Sequence, residues 1–396
     1  MLGTLLLQNM NDTSDIRSLA AAGFAAMKRG EPRAARDLLI RITQIGEANA
    51  AVWFALATAY RQLDSPAGEI HAFDQALKVD PNYLPALIGK GDFFTKQGDE
   101  RAASAHYSAA MRLANSLPFQ PAEWRAELDR IAAARRRIAG DFEAHLTSVL
   151  TARGLGEAGT KRVSDAFGLL VGKRRIFPQQ PTNFYFPGLP LIEFYGRRDF
   201  PWVEALEMQT EHIRAEARVL LGGAGWTPNI ENEARRPNTN ANPLLHDPNS
   251  SVFYLIKNGS EVQPNARRCP ATMAALRDLP LCRTARTPAV LFSLLRPGTR
   301  IGPSHGIMNN RLICHLPLII PDECALRVGN QTRAWREGEV LLFDDSVEHE
   351  AWNLSEESRV VMIFDVWRPE LSEKERILVK ALLDAADQFD SLPQRV

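Results

Sequence analysis

A histidine closes the stretch Phe343-Asp-Asp-Ser-Val-Glu-His349, and ten residues later Arg359 opens the apolar run Arg359-Val-Val-Met-Ile-Phe-Asp-Val-Trp367. An imidazole at one end of a buried sheet can hold a first-row metal through a neutral ring nitrogen. A guanidinium does not shed its proton in a protein, so an arginine heading an apolar strand requires an anion. Two partners meet that requirement equally well. One is a carboxylate of the chain, such as Asp344 or Asp345; the other is a dicarboxylate cosubstrate gripped by a bidentate pair. Ser293, Ser304, His305 and His315 lie in the same region, and three of the chain's eight histidines fall between residues 305 and 349. A lone strand histidine is ordinarily a hydrogen-bonded core residue. Three of them near such an arginine point to a metal that takes few protein ligands and leaves positions for cosubstrate, water and O2. Asp344 and Asp345 read as turn-closing residues or as supports that orient His349. Cys314, Cys324, Trp335 and Trp352 read as packing residues, and His71, His106, His145, His212 and His246 have no matching partners.

The elements that must position these residues are short strands. Apolar runs at 290–295, 312–320, 325–328, 340–343 and 360–366 are split by turn signals at Arg296-Pro-Gly298, Pro321-Asp-Glu323, Gly329-Asn330 and Arg336-Glu-Gly338. Such close spacing argues for a sandwich or jelly-roll barrel. Residues 204–221 read as one helix, 227–249 as a polar loop, and the proline- and aromatic-rich stretch 175–190 cannot form a regular helix. A closing helix is announced by a capping box at Ser372 and Glu375, with Ile377, Ala381, Leu382 and Ala385 as its apolar stripe.

The first part of the chain repeats. Trp53, Ala57, Tyr60, Phe73, Ala76 and Pro81 recur at a constant offset as Leu87, Gly91, Phe94, Tyr107, Ala110 and Asn115. The same offset taken backwards gives Leu19, Gly23, Ala26, Leu39 and Ile42. Gly30, Asp64 and Gly98 recur with them at the turns. This period and order resemble tetratricopeptide repeats, helix pairs whose apolar stripes are buried only by their neighbours. The aromatic residues are therefore core, and any binding surface lies on the concave polar face. Residues 118–175 read as further helix, with Trp124, Leu128 and Ile131 at helical spacing. The expected organisation is 1–117 repeats, 118–178 helical cap or linker, and 179–396 a β domain. The fold class is α+β and multidomain.

The 47 basic residues equal the 47 acidic ones, which removes the global electrostatic case for nucleic acid or an anionic membrane. The basic run Arg135-Arg136-Arg137 reads as a solvated helix face. Four cysteines (Cys269, Cys282, Cys314 and Cys324) form no CxxC pair, which argues against a zinc ribbon and fits a reducing compartment. No apolar run is long enough to span a membrane, and the apolar start lacks the basic flank of a signal peptide. A cytoplasmic protein is expected.

Residues 289–371 resemble the aspartyl/asparaginyl β-hydroxylase family of iron(II)- and 2-oxoglutarate-dependent oxygenases. The resemblance is carried in order by Phe292-Ser-Leu-Leu-Arg-Pro-Gly-Thr299, Asn309-Asn-Arg-Leu-Ile-Cys-His-Leu-Pro-Leu318, Trp335-Arg-Glu-Gly-Glu-Val-Leu-Leu-Phe-Asp-Asp-Ser346, Glu348-His-Glu-Ala-Trp352 and Phe364-Asp-Val-Trp-Arg-Pro-Glu-Leu371. Phe184-Tyr-Phe-Pro-Gly-Leu-Pro190 and Arg268-Cys-Pro270 extend it back to about residue 180. It implies a double-stranded β-helix and an Fe(II) held by two histidines, the second matching His349. It also implies a 2-oxoglutarate whose far carboxylate meets Arg359 and Ser293, with His315 near the other carboxylate; an arginine two residues before that histidine in some members is Ile313 here. At the first iron histidine the family pattern is Pro-His-x-Gly, whereas this chain has Pro303-Ser304-His305-Gly306. Ser304 thus takes the ligand position and His305 falls one residue late, which on a strand points it to the opposite face. A bulge or the nearby glycine could turn it back. The implied activity is O2-dependent hydroxylation of a C–H bond, in Asp or Asn of a peptide or protein recruited by the repeats. Bacterial relatives of this type also act on acyl chains or small molecules. The alternative is a non-catalytic repeat scaffold whose degenerate oxygenase domain only packs or senses 2-oxoglutarate.

Overall fold

A computed structural model describes residues 16–117, 122–153, 161–229, 247–284, 287 and 289–391. The apolar start, His246 and most of the 227–249 stretch lie outside the described residues. The chain divides into two compact units, one ending at Val171 and the other running from Gly172.

The first unit is helical. Residues 16–28 form α1, followed by α2 (Pro32–Ile45), α3 (Ala50–Gln62), α4 (Pro66–Val79), α5 (Leu84–Lys96), α6 (Glu100–Ser116), α7 (Ala122–Ala152) and α8 (Lys161–Leu170). The second helices of the three pairs start at Pro32, Pro66 and Glu100, equal steps that match the sequence period. At the equivalent turns Gly30, Asp64 and Gly98 all adopt positive φ, and Asp tolerates that conformation better than most residues with a Cβ. The repeats are helix pairs of tetratricopeptide type. Their stripes are core: Leu39, Ile42, Phe73 and Ala76 in one cluster, Tyr107 and Ala110 in the next. Arg137 of the basic run pairs with Glu100 and Asp141 at 2.8 Å each, so it is neutralised locally.

The second unit is built on antiparallel strands: β1 (Phe194–Tyr195), β2 (Thr227–Pro228), β3 (Ser250–Lys257), β4 (Ser260–Glu261), β5 (Val290–Leu295), β6 (Thr299–Ser304), β7 (Arg311–Ile319), β8 (Cys324–Val328), β9 (Gln331–Ala334), β10 (Leu341–Phe343), β11 (His349–Asn353) and β12 (Arg359–Trp367). One sheet has the order β1-β10-β7-β12-β5-β3-β2, with β4 on β3; the other has β6-β11-β8-β9. Alternate residues of β5, β7 and β12 go to opposite faces. Phe292, Leu316, Met362 and Phe364 pack outward with Ile213, Ala217 and Leu220 of α10 (Thr210–Leu221). Ile313, Phe343 and Val361 pack inward against Leu326, Val328 and Ala351 of the smaller sheet. Two facing sheets closed in this way form the jelly-roll, or double-stranded β-helix, barrel.

Several elements differ from the sequence reading. The single helix expected over 204–221 is two, α9 (Val203–Glu207) and α10, broken where Met208 and Gln209 carry the chain between them. The last helix, α13 (Glu373–Ser391), follows α11 (Gln263–Ala266) and α12 (Pro270–Ala275) and has the expected capping box. Ser372 Oγ donates to Glu375 at 2.7 Å, and Glu375 N donates back to Ser372 Oγ at 3.3 Å. Its buried side is Val379 and Leu383, however, while Ile377 (62 % exposed) and Leu382 (58 %) face outward.

Candidate active site

The inward face of the larger sheet carries the chemistry. Val361 of β12 lies opposite Ser293 of β5, and Arg359 opposite Leu295. Arg359 is buried, and its Nη1 donates weakly to Ser293 Oγ (3.3 Å) and to the Ser293 carbonyl (3.5 Å). Its Nε has no hydrogen-bond partner. The guanidinium carbon lies 4.8 Å from the centroid of the Trp335 ring. Burial pulls the pKa of Arg359 down to about 10, still above neutrality. Among the described residues no carboxylate forms an ion pair with it. The two proposed from sequence are engaged elsewhere: Asp344 with Arg368 at 2.8 Å, both fully buried, and Asp345 with Arg311 at 3.0 Å.

His315, on β7, is buried beside this arginine. Trp335 Nε1 donates to its Nδ1 at 3.2 Å. Burial, then the charge of Arg359 and the nearness of His349, hold the His315 pKa well below its usual value. The ring is therefore neutral, and because Nδ1 accepts, the proton sits on Nε2. Trp335 is accordingly more than the packing residue expected from sequence: it fixes a tautomer and stacks on a guanidinium. The Phe343 ring joins the two histidines, 4.9 Å from His315 and 6.0 Å from His349 between centroids.

His349 begins β11. Its Nδ1 lies 3.1 Å from the Val347 carbonyl, which can only accept, so Nδ1 is the donor and Nε2 is the ring nitrogen left to face a metal. Asp344 and Asp345 do not orient this ring directly, contrary to one reading of the sequence. Asp344 closes the preceding turn, accepting from Ser346 N (3.0 Å) and Ser346 Oγ (2.5 Å), and so places the segment that bears Val347.

The strand facing His349 is β6. Ala351 lies opposite Ile301, but His349 lies opposite Ser304. Between these pairs β11 advances by two residues and β6 by three, so β6 has a bulge at Gly302-Pro303. A bulge is thus present, as the sequence allowed, and it sets Ser304 rather than His305 across from the metal-competent ring. His305 lies just past the strand end. Gly306 does not use the left-handed region; its part is close approach, since a Cβ there would overlap the Asp345 carboxylate. Among the described residues no three His, Cys, Asp or Glu side chains are grouped to hold a metal.

The structure therefore brings Ser293, His315, His349 and Arg359 to one end of the barrel and adds Trp335 and Phe343. The sequence reading also missed two buried ion networks. Arg311 spans Asp345 and Asp365 (3.0 and 3.4 Å), and Arg368 binds Asp344, Glu370 and the Tyr195 hydroxyl. Arg311 and Asp365 are charged residues in otherwise apolar strands, which was their sequence signal; Asp344, Asp345, Arg368 and Glu370 lie outside the strands and lacked it.

The model of the aspartyl/asparaginyl β-hydroxylase family matches residues 207–369, which contain Ser293, His315, Trp335, Phe343, His349 and Arg359. An ornithine lipid ester-linked acyl 2-hydroxylase of Rhizobium tropici is 34% identical over 210 residues, covering 52% of this chain and 71% of that protein. The chain belongs to the aspartyl/asparaginyl β-hydroxylase family. The aspartyl/asparaginyl β-hydroxylase of Mus musculus is 39% identical over 183 residues, 46% of this chain and 23% of that protein. Aspartate β-hydroxylase domain-containing protein 2 of Homo sapiens is 32% identical over 210 residues, 50% of this chain and 53% of that protein. The chain thus spans only part of these β-hydroxylase relatives. Among solved structures, the Yersinia enterocolitica translocator chaperone SycD aligns with 33% of this chain and 96% of its own, at 13% identity and a TM-score of 0.30. Relatives named as an aspartyl/asparaginyl β-hydroxylase and as a lipid acyl 2-hydroxylase both match this chain. The second unit is a hydroxylase-family domain, and no helix among the described residues is long and apolar enough to cross a membrane.

Proposed function

We propose that this chain is an iron(II)- and 2-oxoglutarate-dependent hydroxylase. The observation that carries the reading is Arg359: a buried guanidinium with an unpartnered Nε, a serine hydroxyl at its side and no carboxylate among the described residues to neutralise it. A buried cation in that condition is costly unless an anion completes it, and the far carboxylate of a diacid fits. Neutral His315 offers an Nε2–H donor to the nearer carboxylate, and Trp335 holds that ring in the donating tautomer. His349 offers a free Nε2 to a metal. Of the two histidines expected to hold iron, it alone starts from a strand position aimed at this end of the barrel. Iron(II), with 2-oxoglutarate and O2, would supply the oxidising power to hydroxylate an unactivated C–H bond, leaving succinate and CO2. The protein's share is to bind the acid, orient it, and keep the arginine end dry.

The substrate we propose is an Asp or Asn side chain of a peptide or protein held by the helical repeats. An acyl chain is the competing class, since one relative is named for that substrate. The test is anaerobic addition of Fe(II), then 2-oxoglutarate, to the purified protein. The expected result is a weak visible charge-transfer band that disappears in His349→Ala; a folded protein with no band would refute the reading. The serine opposite His349 favours one other reading, a repeat scaffold whose barrel binds the diacid without turnover. Consumption of 2-oxoglutarate separates the two.

A further inference from the structure

We infer that the metal at this site has a single protein ligand, His349, and that its retention depends on the diacid anchored by Arg359. The inference rests on the proposed reading of the site. Directly opposed residues of an antiparallel pair share a face, so the bulge at Gly302-Pro303 makes Ser304 the cross-strand neighbour of His349. Without the bulge the register set by Ala351 and Ile301 would bring Pro303 there. Neither arrangement delivers His305.

The segment after β6 is also pinned. Gly306 N donates to the Asp345 carbonyl at 2.6 Å, and the Gly306 carbonyl accepts from Thr182 N at 3.0 Å. The Ile307 carbonyl accepts from Asn183 N and Phe184 N, each at 3.0 Å. Turning His305 toward His349 would break this set. A neutral serine hydroxyl is a poor substitute for imidazole on a first-row metal.

A metal bound by one imidazole is held weakly until the chelating end of the diacid adds its own ligands. The diacid in turn is fixed at its far end by Arg359 and Ser293; Trp335 connects that arginine to His315, and Phe343 connects His315 to His349. Metal and diacid then strengthen each other by the same factor, because coupling between two ligands is reciprocal. A second imidazole would add a ligand that does not depend on the diacid.

The experiment is an anaerobic Co(II) titration of the full chain, read by visible absorption and equilibrium dialysis, with and without 2-oxoglutarate. In the wild type, 2-oxoglutarate should tighten Co(II) by roughly 5- to 150-fold, the usual span of such coupling. Ser304→His should bind Co(II) about tenfold tighter or more in the absence of 2-oxoglutarate, by adding an imidazole. His305→Ala should match the wild type, and Arg359→Met should lose the coupling. Loss of diacid-free Co(II) binding in His305→Ala, with no gain in Ser304→His, would overturn the inference and establish His305 as the second ligand. If 2-oxoglutarate binds no variant, the diacid pocket itself is wrong and the inference falls with it.

Discussion

Arg359 is the residue whose energetics and function pull in opposite directions. Its burial without a carboxylate costs stability, so removing the charge while keeping the length should relieve the fold. Arg359→Met should leave unfolding free energy unchanged or raise it by about 1–4 kcal/mol in urea denaturation. The same variant should lose 2-oxoglutarate binding by calorimetry. A loss of stability instead would mean that the arginine serves the structure. Asp365 gives a pH signature. Burial, only partly offset by Arg311, pushes its pKa up from 3.8 to about 6. A group raised on folding contributes stability that is complete below pH 3.8 and lost as pH rises through about 6. Asp365→Asn should remove that slope; between pH 4 and 7 the two proteins' stability differences should diverge by an amount on the order of 2–3 kcal/mol. At this scale the sequence disclosed residue types but not partners. Arg359 announced its need for an anion; that Asp344 was committed to Arg368 and Asp345 to Arg311 depends on pairings between distant strands.

Elements were legible where burial made them apolar and obscure where it did not. β5, β7, β8, β10 and β12 coincide with the apolar runs to within a residue at either end. The β6 strand (Thr-Arg-Ile-Gly-Pro-Ser) and the β9 strand (Gln-Thr-Arg-Ala) are half exposed and polar, so no apolar run betrayed them. The bulge that decides which residue faces His349 is a matter of pairing register, which a single strand's sequence does not encode. β3 is different: Ser-Ser-Val-Phe-Tyr-Leu-Ile-Lys, closed by Asn258-Gly259, carries an ordinary strand signal, although the first strand expected from sequence was the run at 290–295. The turn between β10 and β11 is the element on which the site hangs. Asp344 ties it to Ser346, to Gln179 (2.6 Å) and to Arg368, so Asp344→Ala would leave a buried guanidinium without its fully buried carboxylate and with only the longer ion pair to Glu370 (3.4 Å). Destabilisation of about 3–5 kcal/mol is expected in chemical denaturation, and Fe(II) affinity should fall as the Val347 carbonyl loses its fixed place. A variant as stable as the wild type would show that the turn holds itself.

At the scale of the whole chain, the two architectures were announced by two different rhythms, a long repeat for the helix pairs and close-set apolar runs for the barrel. Each unit has a core of its own. Phe73 and Tyr107 centre the clusters of the first, and Phe292 and Phe343 those of the second; none of these clusters draws residues from both units. Separate cores lead to separate unfolding transitions rather than one two-state event. A ligand stabilises the unit that binds it by RT ln(1 + [L]/Kd), about 2.7 kcal/mol when its concentration is about a hundred times Kd. Calorimetry of the full chain should therefore show two transitions, with 2-oxoglutarate plus Fe(II), added without O2, raising only one. Gly91→Leu is the complementary perturbation. A Cβ at this position would overlap the Tyr107 ring, wedging α5 from α6. It should lower the other transition and leave diacid affinity unchanged. If both transitions move with 2-oxoglutarate, binding in the barrel is felt by the repeats, and substrate capture and chemistry would then be energetically coupled rather than joined only by the chain.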